Sequence, residues 1–244
     1  MANNKNEVNK GDERLENVES ALSKTEIWIE KNQKIIYGII IAILVIAGVI
    51  YLLNRMHQKK EIAASNEIFK AQMYFDNGVE KLVTMQNDSA KFFFEKALQG
   101  DGNYPGFIEV CDSYGNTKTG KLSAYYAGIC CLHMGKFEEA INYLGKYNGN
   151  DDILAPLALG AMGDCYLELG KTNDAATYYM KAVNKSKNDF TTPTFLDKAG
   201  KTYEMLGDYG NALKCYKTIK RDYPKNGDTH EIERDIAKME ALLK

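Results

Sequence analysis

Cysteine and histidine are the first candidates for chemistry in this 244-residue chain, because thiolates and imidazoles act as nucleophiles, bases and metal ligands. The chain has 5 cysteines and 3 histidines. No two cysteines form a C-x-x-C pair, and an odd number of cysteines does not predict a disulfide framework. Cys131 and His133 are close in sequence, but residues two apart on a helix point in different directions. We therefore expect no metal site and no catalytic pair, and we predict that the cysteines are small buried apolar side chains.

One segment has the composition of a phosphate-binding loop. Residues Gly115 to Lys121 read GNTKTGK, but the next residue is Leu122, where such a loop needs a serine or threonine for Mg²⁺. No strand precedes the segment, so we predict a loop that connects two helices. No other enzyme signature is present, and we expect neither catalysis nor a cofactor nor a small-molecule substrate. The net charge of −2 and the pI of about 6.0 give no basic face for nucleic acid.

The segment Ile35 to Leu53 predicts a membrane-spanning helix. It contains 19 residues without a charge, which as a helix extend over about 28 Å, close to the thickness of the hydrocarbon layer. A cleaved signal peptide is disfavoured by the long polar leader and by the lack of a cleavage pattern. A buried helix of a soluble protein is disfavoured because every face of the segment is apolar. We therefore place one transmembrane helix at residues 35–54.

The leader, residues 1–34, divides into a polar start and a predicted amphipathic helix. Leu15, Val18, Leu22 and Ile29 recur at helical spacing within residues 12–33. This helix either lies on the membrane or a partner, or it is a solvated extension. Lysines and arginines are almost equally frequent on the two sides of the apolar segment, so charge does not decide the orientation. The shortness of the leader favours a cytoplasmic N-terminus.

Internal repeats predict the fold of the remaining chain. Three segments share one pattern, with matching residues at offsets of 3, 7, 12 and 16 from a glycine, and they begin 35 and 37 residues apart. The first glycine allows two helices to approach, the second ends a helix, and the alanine lies where the helices cross. The matching residues are Gly128, Cys131, Gly135, Ala140 and Leu144; Gly163, Tyr166, Gly170, Ala175 and Tyr179; and Gly200, Tyr203, Gly207, Ala212 and Tyr216.

This pattern resembles the tetratricopeptide repeat and implies an all-α protein in which a right-handed α-solenoid follows a single N-terminal transmembrane helix. We assign residues 121–225 to three such repeats. Residues 55–120 form a linker helix and a degenerate first repeat, with helices expected at 60–76 and 105–114 and an insertion or irregular stretch at 78–88. Residues 226–244 are expected to form a capping helix.

Protein binding is the function that remains, since solenoids of this type present the first helix of each repeat on a concave face. Family positions that line this groove are mostly apolar or acidic here, which suits an extended or helical segment with basic residues. For any single residue, a solvated helix face is the alternative. The predicted groove residues are Tyr125, Ile129, Leu132, His133, Leu157, Asp164, Leu167, Glu168, Asp197, Lys201, Glu204 and Met205.

The layout of the whole chain resembles the YfgM-like family of bacterial inner-membrane proteins, Bacteroidetes type. The resemblance rests on Thr25-Glu26 and on the segments 29–32 (IEKN), 100–104 (GDGNY) and 125–129 (YYAGI). It implies a cytoplasmic N-terminus and a periplasmic repeat domain that assists the Sec translocon by contacting translocated proteins or periplasmic chaperones. An assembly factor of another cell-envelope complex, serving secretion or surface machinery, is the alternative. Five reduced cysteines fit an oxidising periplasm only if they are buried.

Overall fold

The computed structural model describes the backbone of residues 3–225 and 229–244 and the side chains of residues 26–225 and 230–244. The described residues form ten helices and no strand, and the chain divides into two compact units, residues 1–57 and 58–244. The helices are α1 (Asn3–Val83), α2 (Asn87–Gln99), α3 (Phe107–Tyr114), α4 (Lys118–His133), α5 (Phe137–Lys146), α6 (Leu154–Glu168), α7 (Thr172–Lys185), α8 (Thr191–Met205), α9 (Tyr209–Asp222) and α10 (Thr229–Leu242).

The first unit consists of the N-terminal part of α1. Residues 35–53 are helical, and nearly all of their side chains are exposed. The most apolar 18-residue window has a mean hydropathy of 2.9, and none of it is buried. By length and composition this helix can cross a membrane, which confirms the prediction of one long apolar helix near the N-terminus. The predicted amphipathic face of Leu15, Val18 and Leu22 lies outside the described side chains.

The second unit is a stack of antiparallel helix pairs. Helices α4 and α5, α6 and α7, and α8 and α9 pack as pairs, and each pair contacts the next. Gly135, Gly170 and Gly207 end the first helix of each pair with φ values of 76°, 70° and 72°. In each turn the residue after this glycine donates its backbone N–H to a carbonyl five residues earlier, at 2.9 Å in all three. These left-handed residues are the reason for the second glycine of the pattern.

A fourth pair of the same geometry precedes these three. Met85 has a φ of 56°, and Gln86 donates its N–H to the Lys81 carbonyl at 2.9 Å, as in the other turns. A Cβ on Gly78 would lie 2.7 Å from the Phe94 ring, and one on Gly200 would lie 2.7 Å from Tyr216. The expectation of an insertion or irregular stretch at 78–88 is therefore wrong. Helix α1 continues to Val83, and the first repeat is in register with a methionine in place of the turn glycine.

Helix α3 is an additional helix between the first and second pairs, as the sequence predicts. The phosphate-loop-like segment forms the connection from α3 to α4, where the Thr117 hydroxyl accepts a hydrogen bond from the Gly120 amide at 2.9 Å. The amides of Lys118 and Thr119 donate to the Glu61 carboxylate at 2.7 and 3.1 Å. A carboxylate from α1 thus satisfies the amides that a bound phosphate would contact.

The core contains all five cysteines as free, buried thiols, as their predicted packing role requires. Burial raises the pKa of Cys131 and of Cys215 to about 11, so both stay protonated and unreactive at neutral pH. At the C-terminal end α10 packs on α9 and buries Ile232 and Met239, whereas Leu243 remains 52% exposed. This packing covers the apolar end of the stack.

Candidate functional site: a depression on the first helices

Five of the twelve predicted groove residues line one depression, with a volume of about 550 Å³. All twelve are exposed or partly exposed and lie on the first helices α4, α6 and α8. We call this site the α4–α6 depression; it is formed where the turn after α4 lies beside the end of α6. Its predicted members are Leu132, His133, Asp164, Leu167 and Glu168, and the pattern did not single out its other members, which are Lys91, Met134, Gly135 and Phe137.

The α4–α6 depression combines apolar walls with charged side chains, among them the carboxylate of Glu168 and the ammonium group of Lys91. Leu132, Phe137 and Leu167 supply the apolar surface, and Glu168 makes no ion pair within the described part of the chain. His133 stacks on the Phe94 ring with centroids 5.0 Å apart, and the resulting burial lowers the pKa of its imidazole. The imidazole is therefore neutral at pH 7, and Glu168 is the group that would attract a cationic side chain.

Asp164 is occupied by contacts within the solenoid. Its carboxylate accepts the Tyr179 hydroxyl at 2.7 Å and the Lys198 ammonium at 2.6 and 2.8 Å. Tyr179 lies at the helix crossing of its own pair, and Lys198 belongs to the first helix of the next pair. Asp164 therefore joins two neighbouring repeats instead of presenting a free charge to a ligand.

Glu204 has the same role one repeat later. It accepts the Tyr216 hydroxyl at 2.6 Å and the Lys238 ammonium from α10. Burial alone would raise the pKa of Glu204, but the hydrogen bonds from Lys238 and Tyr216 outweigh it and lower that pKa. Each lysine lies 34 residues after its carboxylate, which is close to the repeat spacing of 35 and 37 residues. The groove is thus less negative than its acidic residues indicate by themselves.

The other predicted residues lie outside the depression. Asp197 and Lys201 pair with each other at 2.8 Å on α8, and Met205 is 66% exposed. Tyr125, Ile129 and Leu157 pack partly against the apolar core. Burial and the neighbouring Tyr126 raise the pKa of Tyr125 to about 12, so its hydroxyl is neutral. Together with Glu204, these six residues remain predictions for a longer ligand that extends beyond the depression.

Comparison with known proteins identifies the repeats. Two family models described as tetratricopeptide repeat match residues 157–188 and 196–226. A search of curated proteins gives no match. Among solved structures, the tetratricopeptide-like repeats of a Podospora anserina putative kinesin light chain align with a TM-score of 0.51 and 10% identity, covering 71% of this chain and 86% of that one.

Two further solved structures have lower TM-scores. The MamA protein aligns at 0.46 with 17% identity, over 71% of this chain and 82% of that one. A tetratricopeptide-repeat protein of Thermus thermophilus aligns at 0.36 with 15% identity, over 70% of this chain and 99% of that one. Of these three structures, the kinesin light chain repeats have the TM-score above 0.5, and at 10% identity that similarity shows the fold alone.

Proposed function

We propose that this chain, a tetratricopeptide-repeat protein with one long apolar helix near its N-terminus, is a membrane-anchored scaffold that binds a segment of another protein. Residues 35–53 would anchor it in the lipid bilayer, and the first helices of the repeats would hold the partner. The repeat fold supports this proposal, because stacked helix pairs expose side chains of every first helix to one ligand. Nothing in the described residues points to catalysis instead.

The chemistry of the α4–α6 depression carries the proposal. Glu168, a carboxylate without an ion pair in the described part of the chain, lies beside the apolar surface of Leu132, Phe137 and Leu167. A partner segment with a lysine or arginine next to an apolar side chain satisfies both features. The basic group would pair with Glu168, and the apolar group would be removed from water.

The identity of the partner is the finer part of the proposal. The YfgM-like layout supports an ancillary role at the Sec translocon, with a cytoplasmic N-terminus, a periplasmic repeat domain, and translocating chains or periplasmic chaperones as ligands. Translocating chains present basic and apolar side chains in extended form, which matches the depression. An assembly factor of a secretion or surface complex is the second candidate, since it requires the same anchor and groove.

Photo-crosslinking in intact cells tests both the binding site and the identity of the partner. A photoreactive amino acid at His133 or Glu168 should crosslink to a protein, whereas the same amino acid at Asn142, exposed on α5, should not. Recovery of translocon subunits, chaperones or translocating chains would support the finer proposal, and recovery of surface-machinery subunits would favour the alternative. Equal crosslinking from all three positions would contradict the depression as the binding site. Protection of the repeat domain from protease in spheroplasts would contradict the proposed orientation and place that domain in the cytoplasm.

A further inference from the structure

A second groove lies on the second helices of the repeats, away from the residues of the α4–α6 depression. It has a volume of about 310 Å³ and runs between α7 and α9, with residues of α8 also lining it. Val183, Leu196 and Cys215 are buried in its floor, and Met180 and Tyr203 are partly exposed beside them. We call it the α7–α9 groove. An apolar side chain of a ligand can therefore be removed from water there.

The rim of the α7–α9 groove is basic. Lys187, Lys214 and Arg221 line it, and Asp222 is the only carboxylate among its described lining residues. Arg221 already binds Asp222 through two hydrogen bonds of 2.6 and 2.7 Å. Lys187 and Lys214 are exposed, and neither forms an ion pair of 4.0 Å or less within the described part of the chain. Two cationic groups beside an apolar floor are thus available to a ligand.

A shallower depression of about 380 Å³ continues from this rim along α9. It shares Lys214, Thr218 and Arg221 with the α7–α9 groove and adds Leu213 and Lys217. Lys217 pairs with Glu240 at 2.7 Å, whereas Lys214, which lines both sites, has no ion pair among the described residues. A ligand that places its carboxylate at Lys214 has apolar surface on both sides of it.

We infer that the α7–α9 groove binds an acidic segment of a protein, in which a glutamate or aspartate lies next to a large apolar side chain. The carboxylates pair with Lys214 and Lys187, and the apolar side chain lies on Leu196 and Tyr203. Charge complementarity selects this ligand, because the free charges at the rim are positive in a chain of net charge −2. The apolar floor favours a peptide over a small anion, which has no group to place there.

This inference is independent of the proposed function, because the two sites share no residue and prefer opposite charges. It gives the solenoid two ligands of opposite polarity, a basic segment on the first helices and an acidic segment on the second helices. One scaffold can then hold two different proteins at the same time.

Binding of a defined peptide to the full chain in nanodiscs tests the inference. The probe is a fluorescein-labelled peptide of alternating Glu and Leu pairs, measured by fluorescence anisotropy against the same peptide with Gln in place of every Glu. We expect the Glu peptide to bind about fivefold or more tightly than the Gln peptide, and its affinity to fall with salt. Equal binding of the two peptides, or no binding of either, would overturn the inference.

Charge reversal locates the site. Lys187→Glu with Lys214→Glu should weaken binding of the Glu peptide about fivefold or more, whereas Lys181→Glu, on α7 but outside the groove, should change it less than about twofold. Glu168→Lys should leave this binding unchanged, which separates the result from the proposed function. Equal losses in the double variant and in Lys181→Glu would refute the site. Displacement of the peptide by an equal concentration of inorganic phosphate would reduce it to a simple anion site.

Discussion

The hydroxyl groups of Tyr179 and Tyr216 show how single residues hold neighbouring repeats together. Each tyrosine is almost fully buried, and each hydroxyl donates to a carboxylate that also binds a lysine 34 residues further along the chain. A buried hydroxyl without an acceptor would destabilise the fold, so the main role of these carboxylates is to accept the hydrogen bonds of the tyrosine hydroxyls. The acidic residues at these two positions are therefore better explained by stability than by ligand binding.

The Tyr179 hydroxyl gives a direct test of this assignment. Tyr179→Phe removes the donor but keeps the ring and leaves Asp164 with Lys198. We expect a loss of about 0.5–1.5 kcal/mol in the free energy of unfolding, measured by urea denaturation. Tyr104→Phe, at a side chain that is 55% exposed, should change it by less than about 0.5 kcal/mol. Equal effects of the two substitutions would contradict the role of this hydrogen bond.

Glu204 predicts how stability depends on pH. Its pKa in the folded chain lies below the ordinary value of 4.5, because the contacts with Lys238 and Tyr216 outweigh the effect of burial. The unfolded chain therefore binds this proton more readily, and the contribution of Glu204 is complete above pH 4.5 and is lost as the pH falls through the lower, folded pKa. Glu204→Gln should make the melting temperature fall less steeply on acidification below that value.

A matched variant controls for the other carboxylates of the protein. Glu138→Gln, on the exposed side of α5, should leave the acid dependence of the melting temperature as in the unchanged chain. If Glu204→Gln and Glu138→Gln give the same dependence, then the contact between Glu204 and Lys238 does not contribute to stability. Thermal unfolding followed by circular dichroism across the acid range measures both variants.

At the scale of helices and turns, most of the fold was predictable because the repeat imposes the same backbone on different residues. Three turns carry glycine and were recognised from sequence. The first turn was missed because Met85 occupies the left-handed position, which methionine rarely adopts. Gly78 and Phe94 were the remaining signal, since they repeat the close contact between Gly200 and Tyr216. The contacts of Lys198 and Lys238 were missed because they join different repeats.

The strain at Met85 leads to a prediction for the turn. Met85 is 88% exposed, so trimming its side chain loses little packing. Met85→Gly removes the strain of a left-handed non-glycine residue, which costs about 1–2 kcal/mol. The greater conformational freedom of glycine in the unfolded chain offsets about half of this gain in stability. We expect the variant to unfold at a higher urea concentration.

The reverse substitution is the control for this turn. A Cβ on Gly170 would have no atom within 4 Å, so Gly170→Met tests backbone conformation without a side-chain clash. We expect it to lower the free energy of unfolding by about 1–2 kcal/mol. An unchanged stability in both variants would show that these turns do not depend on glycine.

At the scale of the whole molecule, one helix belongs to two units. Residues 35–53 of α1 supply the apolar segment, and residues 58–83 of the same helix form the first helix of the first repeat. Repeat periodicity predicted the solenoid and hydropathy predicted the apolar segment. The sequence ends the apolar segment at residue 54 and begins the first repeat helix at residue 60, and the division between residues 57 and 58 falls between these two positions. The candidate site was only partly predictable, since its free charge depends on which acidic side chains already form ion pairs within the solenoid.

Two truncated chains test where the soluble unit begins. A fragment of residues 58–244 retains the part of α1 that lies opposite α2. It also retains Glu61, whose carboxylate accepts a hydrogen bond from the backbone at the start of α4. This fragment should be soluble without detergent and unfold cooperatively. A fragment of residues 87–244 exposes Ala90 and Phe94, both 0% exposed in the full chain, and loses the carboxylate at Lys118. We expect it to melt at a lower temperature and to bind a hydrophobic dye, because α2 lacks α1, the helix with which it pairs. Equal melting temperatures of the two fragments would mean that the segment before α2 is a linker that does not contribute to the solenoid.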